Sequence, residues 1–344
     1  MQSAAAFHIT AERSYSDYAA MAQAESQRPD GIDAVAIVTP NHLHAPVAHT
    51  FLDAGIHVIC DKPLAIILAE GDALAAKAKQ RGLIFAVTYN YSGYPMARYA
   101  RQLVQQSTLG KLRLVQVEYA QDWLSTPLES SGQKQASWRT DPAQAGAAGC
   151  LGDIGTHAYH LACFVTGQHA SQVSAELSTF VPGRQLDDNV QAMLRFSSGM
   201  RGSLWASQVA AGAVNGLRLR IYGKLASLEF QQEQPEELVV RYVTGDEKRL
   251  RRGRTAPGVT QRTRVPGGHP EGFIEAFAQT YTDVAAYVRA QIQNTAVPDS
   301  AGDMPTVEDG IAGLEFVEAA LASSASAGAW TALRQASGRV TCHK

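Results

Sequence analysis

The sequence predicts an α/β domain with a parallel sheet, followed by an α+β domain with a largely antiparallel, open sheet. In the first part of the chain, short apolar runs alternate with helical segments, a pattern that requires parallel strands joined by right-handed crossovers. Beyond residue 110, short segments with partial period-two alternation are separated by Gly, Pro and Ser, which indicates antiparallel strands. We therefore predict two domains, at residues 1–110 and 111–344.

Three apolar runs form the predicted parallel sheet, and they are rich in residues that suit strands buried on both faces. We predict strands at 32–38, His57–Cys60 and 83–88, with a helix at Leu68–Arg81 that ends at Gly82. Ligands of such sheets bind beyond the carboxyl ends of the strands. The tips at 39–41, 61–63 and 88–90 therefore lie along one edge and form a candidate site.

The second domain begins after a helix at about 96–106. We predict strands at 112–119, 173–181, 189–196, 201–208, 217–222 and 238–242, and helices within 150–165 and at about 271–291 and 307–324. The segment 245–264 is basic, with Lys248, Arg249, Arg251, Arg252 and Arg254 close together. It is either a solvated loop, which we favour, or a site for a phosphate-bearing partner.

Composition excludes several classes of function. The chain has 30 basic and 32 acidic side chains, so we expect neither a nucleic-acid partner nor a membrane surface. The cysteines Cys60, Cys150, Cys163 and Cys342 form no C-x-x-C pair, and the N-terminus lacks the pattern of a signal peptide. We therefore expect reduced thiols in a cytoplasmic protein. We expect no metal site, because His42 and His44 lack a carboxylate or cysteine partner in a ligand spacing.

Asp153 and His157 are spaced for one face of a helix, since they are four residues apart. A carboxylate beside an imidazole raises its basicity, which suits a base that removes a hydroxyl proton. Lys62 follows a predicted strand and precedes Pro63, so its ammonium could hold a substrate oxygen. Taken singly, the lysine is more simply a surface residue and the Asp/His pair a structural hydrogen bond.

Three motifs occur in order, each in its predicted strand or helix context. They are Thr39-Pro40-Asn41-His42-Leu43-His44, Gly55-Ile56-His57-Val58-Ile59-Cys60-Asp61-Lys62-Pro63 and Gly152-Asp153-Ile154-Gly155-Thr156-His157. Together they resemble the signatures of the glucose–fructose oxidoreductase / inositol dehydrogenase / MocA (Gfo/Idh/MocA) family, with Asp61 where Glu is usual. The resemblance implies an incomplete Rossmann-type first domain and an NAD(P)-dependent dehydrogenase that acts on a sugar, polyol or cyclitol.

The resemblance also implies roles for individual residues. Lys62, Asp153 and His157 would be catalytic and would bind substrate, with His157 as acid/base, Lys62 polarising the oxygen and Asp153 orienting. Substrate contacts would extend to His160, which stands where many family members have Asp, and to His269. Trp138 and Arg139 would reach the cofactor, or else anchor a loop. The remaining implied NAD or NADP contacts are Thr39, Pro40, Asn41, His44, Asp61, Lys62 and Asn90.

One family feature does not occur in this sequence. A dinucleotide-binding sheet normally opens with G-x-G-x-x-G, and residues before Ile32 offer only a polar helical stretch at about 15–25. We therefore expect that this unit lies upstream of Met1, or that the protein is a natural truncation. The choice between NAD and NADP belongs to the same segment, so both cofactors remain open.

Three hypotheses about function follow, in order of preference. The first is an NAD(P)-dependent dehydrogenase or reductase acting on CH–OH groups, in keeping with Lys62, Asp153 and His157 occurring together. The second is a non-catalytic sugar- or nucleotide-binding regulator, and the third is an inactive truncated family member. We also expect a homo-oligomer that associates through the exposed face of the antiparallel sheet.

Overall fold

A computed structural model of the chain describes residues 6–253, 262–301 and 304–334, together with Ala4 and Val259. Arg254, in the predicted basic segment, and Cys342 lie outside the described residues. The strands are β1 Ala34–Ile37, β2 His57–Cys60, β3 Phe85–Val87, β4 Leu112–Ala120, β5 Ala170–Ser178, β6 Asn189–Phe196, β7 Arg201–Ser207, β8 Gly216–Gly223, β9 Ala226–Gln231, β10 Glu237–Tyr242, β11 Glu247–Arg251 and β12 Thr331–Ala332.

The helices also follow the predicted order closely. They are α1 Tyr18–Ser26, α2 His44–Asp53, α3 Leu68–Arg81, α4 Pro95–Gln105, α5 Lys134–Arg139, α6 Pro142–Ala145, α7 Thr156–Thr166, α8 Phe273–Gln293 and α9 Val307–Ala325. A π-helical turn, Leu151–Gly155, runs directly into α7. None of the helices among the described residues is long and apolar enough to cross a membrane.

The predicted fold class is confirmed. The first sheet has the order β1-β2-β3 and is parallel, with Val58 of β2 paired to Val35 on one side and Phe85 on the other. All four residues of β2 are buried, as expected for a central strand covered on both faces. Helix α3 ends where predicted, because Gly82 takes the left-handed conformation (φ +64°) that terminates a helix.

The second sheet has nine strands in the order β11-β10-β9-β8-β4-β7-β6-β5-β12. Its neighbouring strands are antiparallel except β4 and β7. Buried residues alternate along β8 and β9, which is the signature of a sheet with one face in the core. On the opposite face, Leu114 and Met193 are exposed.

The basic segment differs in part from the loop that the sequence suggested. Residues Glu247–Arg251 form an edge strand, β11, which pairs with β10. Ion pairs from Arg249 and Arg251 to Glu237 span the two strands. Both arginines share the one carboxylate of Glu237, and this cross-strand pairing stabilises the hairpin. The alternative of a phosphate-bearing partner stays a prediction.

The C-terminal helices return to the first sheet. Helix α9 contributes Ile311 and Leu314 to the core of the parallel sheet, and Phe316 and Ala320 to the core of the second sheet. Just before α9, the backbone N–H of Val87 donates to Pro305 O at 3.1 Å. The predicted division at residue 110 stays a prediction, but α9 packs against both sides of it.

Helix α9 approaches the site region closely because residue 313 is glycine. A Cβ at Gly313 would stand 2.4 Å from Tyr89 Oη, and the Tyr89 ring is fully buried against His160. The ring therefore has little room to move. Gly313 is a point of close helix-to-sheet packing that a larger residue would disturb.

We predict that Gly313→Ala destabilises the protein by about 1–3 kcal/mol, since overpacking outweighs the gain in helix propensity of about 1 kcal/mol. Urea unfolding measures the free energy. Ala322→Gly, at an exposed position of the same helix, reports the propensity contribution alone. A Gly313→Ala protein more stable than the parent would contradict the tight contact.

Candidate active site

The central feature of the site is an ion pair between Lys62, at the edge of the parallel sheet, and Asp153, in the π-helical turn before α7. Lys62 follows the end of β2, and its Nζ lies 2.5 Å from Asp153 Oδ1 and 2.8 Å from the backbone oxygen of Asp153. Both side chains are largely buried, at 15% and 18% exposed. A largely buried charge is stable only when it is paired, so each residue fixes the other.

Two further residues hold the carboxylate of Asp153. Gln208, just after β7, donates from Nε2 to Asp153 Oδ2 at 2.8 Å, and Arg139 Nε lies 3.5 Å from the same oxygen. Burial opposes ionisation of Asp153, but the charges of Lys62 and Arg139 outweigh it and hold the pKa of Asp153 well below its usual range. Asp153 is therefore a carboxylate at neutral pH.

Asp187 holds the backbone segment that immediately precedes Asp153. This carboxylate accepts hydrogen bonds from the backbone N–H groups of Gly149 and Leu151, both at 2.7 Å. A Cβ at Gly149 would stand 2.3 Å from Asp187 O, so the approach requires glycine.

Asp153 does not contact His157 in the way that the spacing suggested. Among the hydrogen bonds of the described residues, none joins the two side chains, and both carboxylate oxygens are taken by Lys62 and Gln208. The reason is local: residues Leu151–Gly155 form a π-helical turn, so the four-residue spacing of a regular α-helix does not apply. Asp153 orients Lys62 rather than His157.

His157 lies in the same site, within an aromatic surround. Its ring makes T-shaped contacts with three tyrosine rings, at centroid distances of 5.6 Å to Tyr89, 4.9 Å to Tyr91 and 6.4 Å to Tyr119. Burial, assisted by the positive charge of Lys62, lowers the pKa of His157 well below its usual value. The imidazole is therefore neutral at physiological pH and has a lone pair available to accept a proton.

These residues line a pocket of about 610 Å³. Of the predicted site residues, the lining includes Asp61, Lys62, Asn90, Arg139, Asp153 and His157. Thr88 comes from the predicted strand tip at 88–90, and Ile154 comes from the third motif. The sequence analysis did not single out the rest of the wall: Tyr91, Tyr119, Gln121, Trp123, Gln133, Gln135, Asn215, Phe273 and Phe277.

The strand tip at 39–44 lies on the same edge but not in the pocket lining. Asn41 donates from Nδ2 to Ala145 O at 2.9 Å, which ties this tip to the segment before the π-helical turn. The buried His44 ring lies between Pro63 O at 2.8 Å and Thr39 O at 2.9 Å, and it fixes the turn that follows Lys62. Asn41 and His44 thus fix the backbone of the strand tip around Pro40 without lining the pocket.

Trp138 and Arg139 end helix α5. The guanidinium of Arg139 stacks 4.2 Å from the centre of the Trp138 ring, which leaves the indole outside the pocket lining while Arg139 reaches Asp153. His269 is exposed in the loop before α8, with its Nδ1 3.3 Å from Pro266 O, and does not line the pocket.

His160 also lies outside the pocket lining, one helical turn beyond His157. Its ring stacks on Tyr89 at 4.1 Å, and its Nε2 lies 4.0 Å from Asp309 Oδ1 of α9. Burial lowers the pKa of His160 to about 4, although Asp309 opposes the shift. The contacts are those of a neutral core histidine.

We predict that His160 makes the fold sensitive to acid. Because its pKa is lower in the folded chain than the ordinary value of about 6.5, stability is lost as pH falls from about 6.5 towards about 4. The loss from this residue is about 2 kcal/mol between about pH 7 and about pH 5. Unfolding free energies at both pH values should show a smaller loss in His160→Phe, which keeps the stacked ring.

His8→Phe, at an exposed histidine, serves as the matched control. An equal acid-induced loss in the parent and in His160→Phe would show that this imidazole does not titrate on unfolding.

Comparison with known proteins agrees with the fold. Residues 1–89 match the model of an oxidoreductase family with an NAD-binding Rossmann fold, and residues 97–229 match the Gfo/Idh/MocA C-terminal domain. Levoglucosan dehydrogenase of Pseudarthrobacter phenanthrenivorans is 30% identical over 90% of this chain and 82% of its own length.

Two solved structures are similar over nearly the whole chain. An oxidoreductase from Sinorhizobium meliloti is 40% identical, with a TM-score of 0.85 over 96% of this chain and 87% of that one. An inositol dehydrogenase homologue from Azotobacter vinelandii, complexed with NAD+, is 32% identical, with a TM-score of 0.91 over 96% and 85%. The chain therefore belongs to the Gfo/Idh/MocA family and is an NAD(P)-dependent oxidoreductase that acts on CH–OH groups of sugar or polyol substrates.

Proposed function

We propose that Lys62, Asp153 and His157 handle the substrate oxygen and its proton during this reaction. The observation that carries the proposal is the Lys62–Asp153 ion pair beside a buried, neutral imidazole in one pocket. In the oxidative direction, His157 accepts the hydroxyl proton, and Lys62 donates a hydrogen bond to the oxygen as negative charge develops. In the reductive direction, the same groups act in reverse.

Asp153 has an indirect part in this scheme. Its carboxylate holds the ammonium of Lys62 in place and balances the added charge when His157 becomes protonated. Gln208 fixes Asp153 in turn, by a hydrogen bond to the oxygen that Lys62 does not use. Proton transfer then needs no movement of the charged pair.

The edge of the parallel sheet suits the nicotinamide end of NAD or NADP. Two buried polar atoms at this edge, Thr39 Oγ1 and Asn90 Nδ2, have no hydrogen-bond partner among the described residues. Dinucleotides bind at this edge in doubly wound sheets, and buried polar atoms normally have partners. We propose that Thr39, Asp61 and Asn90 contact the cofactor from the first domain and Arg139 from the second.

The other predicted cofactor residues would support the cofactor site by holding its backbone and side chains in position. Asn41 and His44 hold the strand tips around Pro40 through their own hydrogen bonds, and Trp138 supports the guanidinium of Arg139. The bound cofactor would supply the hydride acceptor in oxidation and the hydride donor in reduction. His157, opposite the tips, would remain free for the substrate.

The proposed substrates are sugars, polyols or cyclitols. The pocket combines charged and amide groups with the apolar ring faces of Trp123, Phe273 and Phe277, which suits a ring with hydroxyl edges and C–H faces. Related structures contain levoglucosan, L-sorbose or myo-inositol. Because Lys62, Asp153 and His157 meet in one pocket, this reading is preferred to a non-catalytic regulator.

We also propose that the protein is a cytoplasmic homo-oligomer. The outer face of the nine-stranded sheet carries a shallow cavity of about 500 Å³, whose lining includes Trp205 and the exposed Met193. The lining mixes polar side chains with these apolar ones, which is the composition of surfaces that associate with a second copy. Cys60 and Cys150 are free thiols, in keeping with a reducing compartment.

We predict that His157→Asn lowers kcat for polyol oxidation by roughly 10²–10⁴-fold, the usual contribution of a general base. The parent rate should be flat above about pH 6.5 and fall only in acid, because the pKa of His157 is lowered; the variant should lack that acid limb. The measurement is kcat and kcat/KM against pH, with inositols and sugars as substrates.

Titrating the parent and each variant with NADH, and then with NADPH, while following nicotinamide fluorescence measures cofactor binding separately from catalysis. His157→Asn should bind the cofactor as the parent does, and His8→Asn, at an exposed histidine, should match the parent in every readout. An unchanged pH–rate profile in His157→Asn would exclude this residue as the acid/base. Loss of cofactor binding instead would place it in the cofactor site.

A further inference from the structure

One wall of the pocket is a continuous hydrogen-bonded network that the proposed chemistry does not use. At its centre, Asn215 Oδ1 accepts from Tyr119 Oη and from Gln121 Nε2, each at 2.8 Å. Asn215 Nδ2 donates to Gln232 Oε1 at 2.8 Å and lies 3.4 Å from Tyr91 Oη. Tyr91 and Tyr119 bond to each other through their hydroxyl groups. Four of these residues, Tyr91, Tyr119, Gln121 and Asn215, line the pocket; we call them the amide–tyrosine wall.

The direction of each hydrogen bond in this wall follows from counting protons. Burial raises the pKa of both Tyr91 and Tyr119, so each phenol keeps its single proton. Tyr119 donates that proton to Asn215, and Tyr91 must therefore donate its own to Tyr119. Neither hydroxyl has a proton left for a ligand.

The amide of Gln121 is the last group of the wall whose hydrogen-bond donors and acceptors must be assigned. Its Nε2 is directed at Asn215 Oδ1 and, at 3.4 Å, at Tyr119 Oη. Among the described residues, nothing donates to Gln121 Oε1, although the side chain lines the pocket. What the wall offers to a bound molecule is thus a hydrogen-bond acceptor, led by the carbonyl oxygen of Gln121.

The opposite side of the site has the reverse polarity. Lys62 and Arg139 have only N–H donors, and in the proposed function Lys62 donates to the oxygen that becomes negative. His157 lies between the two sides, with its ring 4.9 Å from that of Tyr91 at an angle of 76°. A substrate whose reacting oxygen is at Lys62 and His157 therefore places its neighbouring carbon towards Tyr91 and the wall.

We propose that the amide–tyrosine wall recognises a second hydroxyl group, on the carbon next to the one that is oxidised, by accepting its proton in a hydrogen bond. The pocket would then select vicinal diols, whether cyclic or open-chain, over simple alcohols. This inference rests on the proposed function, because it takes the reacting oxygen to lie at Lys62 and His157. Gln121 is the residue that determines the selection, and Tyr119 and Asn215 position it.

The test compares three probes on the full chain with NAD+ or NADP+: cyclohexane-1,2-diol, cyclohexanol and 2-fluorocyclohexanol. Fluorine can accept a weak hydrogen bond but cannot donate one. We expect kcat/KM for the diol to exceed that for both other probes by roughly tenfold or more, the effect of one lost hydrogen bond to a group that stays desolvated.

Gln121→Met removes the acceptor at a half-buried position and should bring the diol-to-cyclohexanol ratio close to one. Tyr119→Phe should lower the same ratio, since it releases Gln121 and Asn215 from their fixed orientation. Gln172→Met, at a half-buried glutamine of β5 outside the pocket lining, is the matched control and should keep the parent ratio. Thermal melting of each variant shows whether it is folded.

The outcomes separate this inference from the proposed function. A diol ratio that survives Gln121→Met, or a fluoroalcohol as good as the diol, overturns the inference. If no probe is oxidised, the same ratio is read from the change in NADH fluorescence on probe binding. Preferential binding of the diol without turnover contradicts the proposed function alone. Turnover without a preference for the diol contradicts the inference alone. If the protein shows neither turnover nor a preference, both are contradicted.

Discussion

The ion pair between Lys62 and Asp153 is the interaction on which the site depends. The two residues are 91 positions apart and belong to different domains, yet their charged atoms are in direct contact in a largely buried position. An unpaired charge is costly in a largely buried position, so the loss of either residue would leave the other without its main partner. The pair thereby fixes how the parallel sheet's edge faces the second domain.

Each partner is in turn held by local structure. On the first side, the buried His44 ring contacts Pro63 O, directly after Lys62. On the second side, Asp187 binds the backbone at the start of the π-helical turn, and Gln208 binds the carboxylate of Asp153 from the end of β7. A reactive group supported in this way loses little entropy when a substrate binds, which is how preorganised sites gain rate.

The charges of the pair also set the state of the neighbouring imidazole. His157 is buried among tyrosine rings, and the ammonium of Lys62 further disfavours its protonated form. The pocket therefore combines the hydrogen-bond donors of the Lys62 side chain with a neutral base, which is the combination needed to take a proton from an alcohol while stabilising its oxygen. The amide–tyrosine wall extends the same site with acceptors instead of charges.

Much of the fold could be predicted because its signals are local. The strand His57–Cys60 and the helix Leu68–Arg81 have the predicted bounds, since an apolar run and a glycine stop determine them. The edge strand Glu247–Arg251 was missed because four of its five residues are charged, and cross-strand ion pairs support it. The rule that ligands meet the carboxyl ends of parallel strands correctly brought Asp61, Lys62 and Asn90 to one place.

The site's finer contacts could not be predicted in the same way. Gln208, Gln121 and Asn215 come from three separate strand ends. Only the register of the nine-stranded sheet brings Gln121 and Asn215 to the pocket and Gln208 to Asp153. The contact expected between Asp153 and His157 failed for a local reason, because no sequence pattern indicated the π-helical turn. His160, which stands where many family members have Asp, lies outside the pocket lining, and its ring stacks on Tyr89 within the core.

The most direct test of this account is a double-mutant cycle on Lys62→Met and Asp153→Asn, read from single-turnover hydride transfer with a polyol substrate. If the pair acts as one unit, each single variant should lose nearly as much rate as the double variant, giving a coupling energy of about 1–3 kcal/mol or more. Losses that simply add would mean that the two residues work independently, and the ion pair would then not be the basis of the site.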